Sequence, residues 1–152
     1  MQLTEYYNKR DFKKTSEPRG QVDVHAANVF VVQKHHARQL HYDFRLAING
    51  VLKSWAIPKG PSTNPNDKRL AVMTEDHPLA YADFSGIIPA GEYGAGKVEI
   101  WDRGTWEAVD DVTKGLQHRK LEFILYGKKL TGAWVLFGFS NEAKNWLLKK
   151  KS

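Results

Sequence analysis

Three side chains that can bind metals or anions stand at alternate positions in one short run of the sequence. His41, Asp43 and Arg45 are separated only by Tyr42 and Phe44. Alternate residues of an extended strand share a face, so the three polar groups are predicted to point one way at intervals of about 7 Å. The other face is predicted to enter the core as the apolar stripe Leu40, Tyr42, Phe44, Leu46 and Ile48. Two metal ligands beside a permanent cation are typical of a site that holds a divalent transition ion and an anionic substrate.

His35, on the segment before this strand, is a candidate third ligand. Two imidazoles and one carboxylate suit a divalent transition ion. A polar row on a half-buried strand is, however, what any antiparallel sheet presents to water. The residue pattern alone therefore leaves open both a metal centre and an ordinary solvent-facing row.

A lysine, an arginine and a histidine occur where loops meet strands. Lys59 is enclosed by two prolines and a glycine, which can hold its ammonium at a set position for a phosphate oxygen. Arg69 offers a guanidinium fork to the same anion. His77 follows the carboxylates Glu75 and Asp76, which are predicted to raise its pKa and keep it protonated for phosphate binding or proton donation. Together with the strand motif, these groups suggest phosphate chemistry.

Composition narrows the class of protein. The 152 residues include no cysteine, which excludes disulfides and thiolate-ligated metal sites, so any metal must be held by His, Asp and Glu. The net charge of +6 favours a polyanionic partner, nucleic acid above all. The chain has no apolar run of membrane-spanning length and no start that resembles a signal peptide. We therefore expect no membrane association and a cytoplasmic location.

Turn signals at short intervals divide the chain into about eight or nine strands. Asn49-Gly50 is the dipeptide that type I′ hairpins demand, and it joins the His–Asp strand to Val51–Ile57. Asp102-Arg103-Gly104 is predicted to be a turn between the strands Lys97–Trp101 and Thr105–Val109.

This spacing predicts a mostly β protein, a small closed or nearly closed antiparallel β-barrel of about eight strands with one or two short helices. Helical turns are predicted near Thr4–Lys9 and over Asp110–His118. Residues 1–152 are predicted to form a single domain, with the irregular segment 1–27 contributing to the site. The tryptophans are expected to pack the barrel: Trp55, Trp101, Trp106, Trp134 and Trp146.

Motifs along nearly the whole chain resemble the phosphoesterase domain of bacterial DNA ligase D and its stand-alone relatives. They occur in the family's order and without large gaps. The motifs are Lys9-Arg10-Asp11-Phe12, Thr15-x-Glu17-Pro18, the block from Phe30 to Leu46, Ser54 to Ser62, Lys68 to Val72, Thr74 to Pro78, Pro89 to Gly96, Trp101 to Trp106, Lys129 to Trp134, and Lys144 to Leu148.

The resemblance implies a metal-dependent enzyme that heals 3′ ends of DNA or RNA primers. It would remove a 3′-terminal ribonucleoside and then the 3′-phosphate, leaving a 3′-hydroxyl for repair and ligation. The implied cofactor is Mn²⁺, with other divalent transition ions possible. The implied partners are primer-template 3′ ends and a DNA ligase or polymerase acting in trans, at the nucleoid in the cytoplasm.

Residue roles follow from the same resemblance. His35, His41 and Asp43 are implied to bind the metal, while Arg45 and His77 are implied to contact the scissile phosphate. The remaining site residues implied are Arg10, Asp11, Glu17, Gln33, Lys59, Arg69 and Tyr81. The chain departs from the family at Ala47, where an acidic residue is usual, and at His36, where Asp or Asn is common.

Two other functions are compatible with parts of the pattern. An iron(II) dioxygenase also uses a His-x-Asp pair with a distant histidine, here His41 and Asp43 with His77 or His118. A barrel that only binds single-stranded nucleic acid would use the positive charge and exposed aromatics without catalysis.

Overall fold

Short strands joined by tight turns make up most of the structure. The computed structural model describes residues 2–22 and 28–152. In these ranges the strands are β1 (Val29–His36), β2 (Leu40–Ile48), β3 (Val51–Ile57), β4 (Arg69–His77), β5 (Gly86–Ile88), β6 (Gly96–Ala108), β7 (Lys120–Tyr126), β8 (Thr131–Gly138) and β9 (Asn145–Lys150). The helices there are α1 (Thr4–Asn8), the 3₁₀ helix Leu79–Asp83 and α2 (Val112–His118).

The strands close into an antiparallel barrel. The order around the wall is β1-β2-β3-β4-β9-β8-β7-β6, and β6 pairs back onto β1. The predicted barrel of eight strands is confirmed, as are both helical turns, which are α1 and α2. The short strand β5 pairs with the first residues of β6 and was not predicted.

The Asn49-Gly50 hairpin sets the register of the two strands that carry and flank the His–Asp motif. Asn49 and Gly50 have φ angles of 52° and 86°, the positive values that a type I′ turn requires. The turn places Phe44 opposite Trp55 in the β2–β3 ladder. A slip of one residue would turn the polar row into the core, so this turn helps to fix which face carries the site.

The barrel interior is filled by the residues that the alternation predicted. Phe44, Leu46 and Ile48 of β2 belong to the buried interior cluster, together with four of the five tryptophans. Trp101 is partly buried against that cluster. The buried part of the apolar stripe begins later in β2 than predicted, because Leu40, the first residue of the strand, is 46% exposed.

A second apolar cluster covers part of the outer wall. It joins Tyr6 of α1 and Tyr81 of the 3₁₀ helix to outward-facing residues such as Val31 and Leu52. The N-terminal segment and the 3₁₀ helix are therefore held against the outside of β1, β2 and β3. This second layer encloses the polar row on β2, which would otherwise face open solvent.

The predicted turn at Asp102-Arg103-Gly104 is wrong, because β6 runs without interruption from Gly96 to Ala108. The Asp102 carboxylate is buried and accepts hydrogen bonds from backbone N–H groups of the 127–130 connection. Gly104 lies so close to Tyr126 that a Cβ there would be 2.1 Å from its carbonyl oxygen. Gly104 therefore allows two strands to approach closely, and Asp102 binds backbone amides. Neither residue reverses the direction of the chain.

Asp102 is predicted to be an important structural carboxylate. It is 3% exposed and accepts from the amides of Arg103, Lys128, Lys129 and Leu130 at 2.8–3.1 Å. Asp102→Asn would present an amide N–H₂ to two backbone donors, so we expect the free energy of unfolding to fall by about 3 kcal/mol. Urea denaturation measures it, with the exposed Asp110→Asn as the matched control. Equal stability of the two variants would contradict this role.

No helix among residues 2–22 and 28–152 has the length and apolar character needed to cross a lipid bilayer.

Candidate active site

The candidate metal ligands converge because two neighbouring strands place them opposite one another. β1 and β2 pair with His35 across from His41 and Gln33 across from Asp43. One ligand atom from each of His35, His41 and Asp43 lies within 4.8 Å of the other two. Phe44 and Leu46 point into the barrel, so the alternating polar residues face the enclosed cleft on its outside. The predicted His–His–Asp cluster is present.

Backbone carbonyls set the tautomers of both histidines. His35 Nε2–H donates to the carbonyl of Gly94 at 2.7 Å, and His41 Nδ1–H donates to that of Gln39 at 3.1 Å. The free nitrogens, His35 Nδ1 and His41 Nε2, then face the carboxylate of Asp43 at 3.5 and 3.2 Å. Two nitrogen lone pairs and a carboxylate pointing at one another repel unless a positive charge lies among them. This donor set fits a divalent transition ion.

The charges around Asp43 favour its ionised form. Burial alone would raise the pKa of Asp43, but the Arg45 guanidinium opposes it. When no metal is bound, protons on the facing nitrogens of His35 and His41 add hydrogen bonds to the carboxylate, and together these hold the pKa well below its usual range. Its hydrogen bond with Asp43 raises the pKa of His41. Asp43 is therefore held in the charged form that a metal ligand would need.

Arg45 carries a guanidinium nitrogen that is free for a ligand. Its Nε donates to Gln33 Oε1 at 2.7 Å, and its Nη2 lies 3.5 Å from Asp43 Oδ2. Gln33 is fixed in turn by donating to the carbonyls of Tyr81 and Phe84. Arg45 Nη1 is buried without a hydrogen-bond partner among the described residues. Such a buried donor is costly when left unpaired, so Nη1 could bind an oxygen of a ligand beside the candidate metal ligands.

The N-terminal segment contributes a second guanidinium. Arg10 donates to Glu17 at 3.0 Å and to Glu75 at 3.3 Å, and its Nη2 lies 3.4 Å from His77 Nε2. Glu17 also accepts from the Tyr81 hydroxyl at 2.6 Å. Burial raises the pKa of Tyr81 well above its usual value, which keeps that hydroxyl a donor. These bonds attach the segment before β1 to the cleft floor and leave Arg10 fully paired.

His77 is neutral, and the prediction that neighbouring carboxylates would keep it protonated is wrong. Burial lowers the pKa of His77 well below its usual value, and the Arg45 and Arg10 guanidinium groups lower it further. Its Nδ1–H donates to the Glu75 carbonyl at 2.9 Å, so Nε2 carries the lone pair. Adjacent carboxylates in the sequence do not raise this pKa, because the Asp76 side chain pairs with Lys53.

The fixed charges of the cleft fit a resident cation better than a bare anion site. Its lining includes two guanidinium groups and the three carboxylates Glu17, Asp43 and Glu75. Lys9 contacts Glu75 at 3.1 Å and brings the local balance to zero. A divalent ion on the His–His–Asp cluster would make the cleft positive and able to attract a phosphate.

A family match shows which kind of protein carries this cleft. Residues 33–138 match the family described as the DNA ligase D 3′-phosphoesterase domain. The chain belongs to this family.

Its relatives are longer multidomain proteins. The multifunctional non-homologous end joining protein LigD of Pseudomonas aeruginosa is 52% identical over 153 residues, which cover 97% of this chain and 18% of the relative. The LigD repair proteins of Mycobacterium tuberculosis and Mycolicibacterium smegmatis are 48% and 44% identical over 88% and 95% of this chain. The chain spans about a fifth of the length of these relatives, 18–20%. Membership of the phosphoesterase family supports a hydrolase with an end-processing role in DNA repair.

Most of the implied phosphoesterase residues lie together, but three do not. Arg10, Glu17, Arg45, His77 and Tyr81 line the cleft with the metal-ligand candidates, and Gln33 lies behind Arg45. Lys59 and Arg69 line a separate groove. The Asp11 side chain is exposed and accepts from the backbone N–H of Lys13. The part of the predicted 1–27 segment at residue 1 and residues 23–27 lies outside the described residues.

The contacts of Arg10 include residues that were not assigned to the site from the sequence. Glu75 and Tyr93 line the cleft beside Arg10, and the buried Tyr6 ring packs against its guanidinium. The pairing of β3 with β4 contains a register shift: Leu52 lies opposite His77, but Ser54 lies opposite Thr74, so β4 has one extra residue between these pairs. The extra residue on β4 turns Glu75 and His77 out of the interior, where alternation from Ala71 and Met73 would place them. No residue pattern in the sequence marks that bulge.

The neutral His77 predicts a pH dependence of stability. Its folded pKa lies well below the ordinary value of 6.5, so its stabilisation is full above about pH 6.5 and is lost as the pH falls and the unfolded chain takes up a proton. His41, with a raised pKa, contributes in the opposite sense. The quantity to measure is the free energy of unfolding of the metal-free wild type minus that of His77→Gln. We expect this difference to fall between pH 7 and pH 5 by up to about 1.4 kcal/mol per pH unit. A constant difference across this range would contradict a buried neutral His77.

Proposed function

We propose that the protein is a metal-dependent 3′-phosphoesterase that heals DNA and RNA 3′ ends. It would remove a 3′-terminal ribonucleoside as a phosphodiesterase and then hydrolyse the remaining 3′-phosphate as a phosphomonoesterase. The observation that carries the proposal is Arg45 Nη1, which has no hydrogen-bond partner among the described residues and lies buried beside a His–His–Asp cluster in a cleft of about 360 Å³. A cation site and an unpaired guanidinium donor, side by side, suit a phosphate ester.

The metal would be held by His35 Nδ1, His41 Nε2 and an oxygen of Asp43. When bound, a divalent ion at such a site neutralises phosphate charge and lowers the pKa of a bound water. We propose Mn²⁺, and the nitrogen and oxygen donor set accepts other divalent transition ions too.

Arg45 is proposed to bind the scissile phosphate through Nη1. Gln33 and Asp43 hold the other edge of its guanidinium, so Nη1 is already oriented and loses little freedom when a phosphate oxygen arrives. Charge on that oxygen grows as the phosphorus becomes five-coordinate, and the donor stabilises it most at that point.

His77 has two proposed roles, a phosphate clamp or a proton donor to the leaving oxygen. Both require a proton on Nε2, which carries a lone pair in the neutral ring. The negative charge of an entering phosphate would offset the positive charge of the Arg10 and Arg45 guanidinium groups, and this would raise the pKa of His77. Arg10 and Glu17 position the ring and Tyr81 rather than touching the reacting atoms.

The proposed substrates are primer-template 3′ ends, and a DNA ligase or polymerase acting in trans would use the healed end. Action at the nucleoid, in the cytoplasm, is part of the same proposal. Roles for Asp11, Lys59 and Arg69 in catalysis remain predictions from the family resemblance, since these side chains lie outside the cleft lining.

A primer that ends in one ribonucleotide tests the function. We expect chelated protein to be inactive, and addition of Mn²⁺ to produce first a 3′-phosphate and then a 3′-hydroxyl, resolved by gel electrophoresis. A primer that binds both with and without Mn²⁺ but is never cleaved would support the non-catalytic barrel instead. The dioxygenase alternative predicts turnover of 2-oxoglutarate with Fe²⁺. His118 lines a different groove from His41 and Asp43, so His77 is the distant histidine left for this alternative.

A further inference from the structure

A groove outside the catalytic cleft combines cations with exposed apolar side chains. It is lined by Pro58, Lys59, Lys68, Arg69, Leu70, Phe139 and Leu147, which we call the β4–β9 groove. Leu70 lies opposite Leu147 in the β4–β9 ladder and is 40% exposed, and Phe139 is 51% exposed. Arg69 Nε is buried without a hydrogen-bond partner among the described residues. Asp67 lies near these cations; its carboxylate is 3.7 Å from Arg69 and accepts from Ser62.

The groove continues the surface of the catalytic cleft. Ala56 of β3 lines the cleft, and Pro58, in the turn just after β3, lines the groove. On the adjacent strand, Thr74 lines the cleft and Leu70 lines the groove. Four residues of strand separate them by about 13 Å.

We propose that the β4–β9 groove binds the strand that carries the 3′ end, several nucleotides upstream of the scissile phosphate. A strand whose bases remain stacked advances about 3.4 Å per nucleotide, so roughly 13 Å corresponds to about four nucleotides. Lys59, Lys68 and Arg69 face the backbone phosphates. Phe139 and Leu70 offer an apolar surface on which a base stacks, the combination by which proteins hold single strands. This inference rests on the proposed function, because it extends that function's substrate beyond the cleft.

Strands of two lengths distinguish binding in the groove from binding in the cleft. A 3′-phosphorylated dinucleotide fills the cleft but is too short to reach the groove, whereas a 3′-phosphorylated twelve-nucleotide strand reaches both. Phe139→Ala and Lys68→Gln alter the groove alone. We expect each variant to raise the Kd for the longer strand about 5- to 10-fold, measured by fluorescence anisotropy, and to leave competition by the dinucleotide unchanged.

Salt dependence adds a second readout. Lys68→Gln should lower the slope of log K against log salt by about 0.7 for the longer strand, because one phosphate contact is lost. Matched controls are Tyr126→Ala, which removes an aromatic ring that is 53% exposed, and Lys114→Gln on α2. Neither control should change binding of either strand.

Two results with the groove variants would overturn the inference. Both variants could keep the wild-type affinity for the longer strand, or they could lose affinity equally for the dinucleotide and the longer strand. A loss of the same size in the control variants would also overturn it, since charge and exposed aromatics would then act anywhere on the surface. The binding measurements need no hydrolysis, so failure of the groove and failure of the proposed phosphoesterase activity are distinguishable.

Discussion

Asp43→Asn is expected to abolish metal-dependent phosphate release, lowering kcat by on the order of 10³-fold or more. The substitution keeps the shape of the side chain but removes the one negative charge among the proposed ligands. It also replaces an oxygen with an amide N–H₂ that points at the lone pair of His35 or His41. Metal affinity and hydrolysis should therefore be lost together. Kinetics with a 3′-phosphorylated primer and calorimetric titration with Mn²⁺ measure both effects.

The comparison for Asp43→Asn is Asp110→Asn, which makes the same chemical change at an exposed position remote from the cleft. Circular dichroism should show the same β content in both variants. If Asp43→Asn bound Mn²⁺ as tightly as wild type, or kept a tenth of its activity, Asp43 would not be a ligand of the catalytic ion.

Arg45→Lys is expected to lower kcat/KM by about 10²- to 10³-fold while Mn²⁺ binding is retained. A lysine keeps the positive charge but has one nitrogen, which cannot donate to Gln33, stay near Asp43 and meet a phosphate oxygen together. The loss should therefore appear in hydrolysis of both the phosphodiester and the phosphomonoester.

Separate measurements of metal affinity and activity distinguish this role from a structural one. The matched control is Arg103→Lys, which makes the same change at an exposed arginine and should leave kcat/KM unchanged. An Arg45→Lys protein that lost its metal, or that lost less than about tenfold in kcat/KM, would show that Nη1 does not bind the phosphate.

The metal-ligand cluster could be predicted from the sequence because it depends on short-range rules. Period-two alternation placed His41, Asp43 and Arg45 on one face, and the Asn49-Gly50 turn set the neighbouring register. His35 joins them because a tight antiparallel pair puts it directly across from His41. These contacts are set within a span of fifteen or so residues, where backbone geometry leaves few alternatives.

The parts that could not be predicted depend on distant contacts. The bulge in β4 that turns His77 toward the cleft reflects packing between strands and not a residue signature. The low pKa of His77 comes from burial and from Arg10, which is 67 residues away in the chain. Asp102 looks like a turn residue until the backbone amides near residue 128 are seen to bind it. Long-range burial and charge decide these features, and local patterns do not record them.

The most direct test of the account is electron spin-echo spectroscopy of the Mn²⁺-loaded protein. We expect one bound ion whose signal carries couplings from two imidazole nitrogens, His35 Nδ1 and His41 Nε2. The His41→Gln variant should keep one of these couplings and lose hydrolysis. A tightly bound, catalytically competent ion without imidazole coupling would contradict the assignment of His35, His41 and Asp43 as the metal centre.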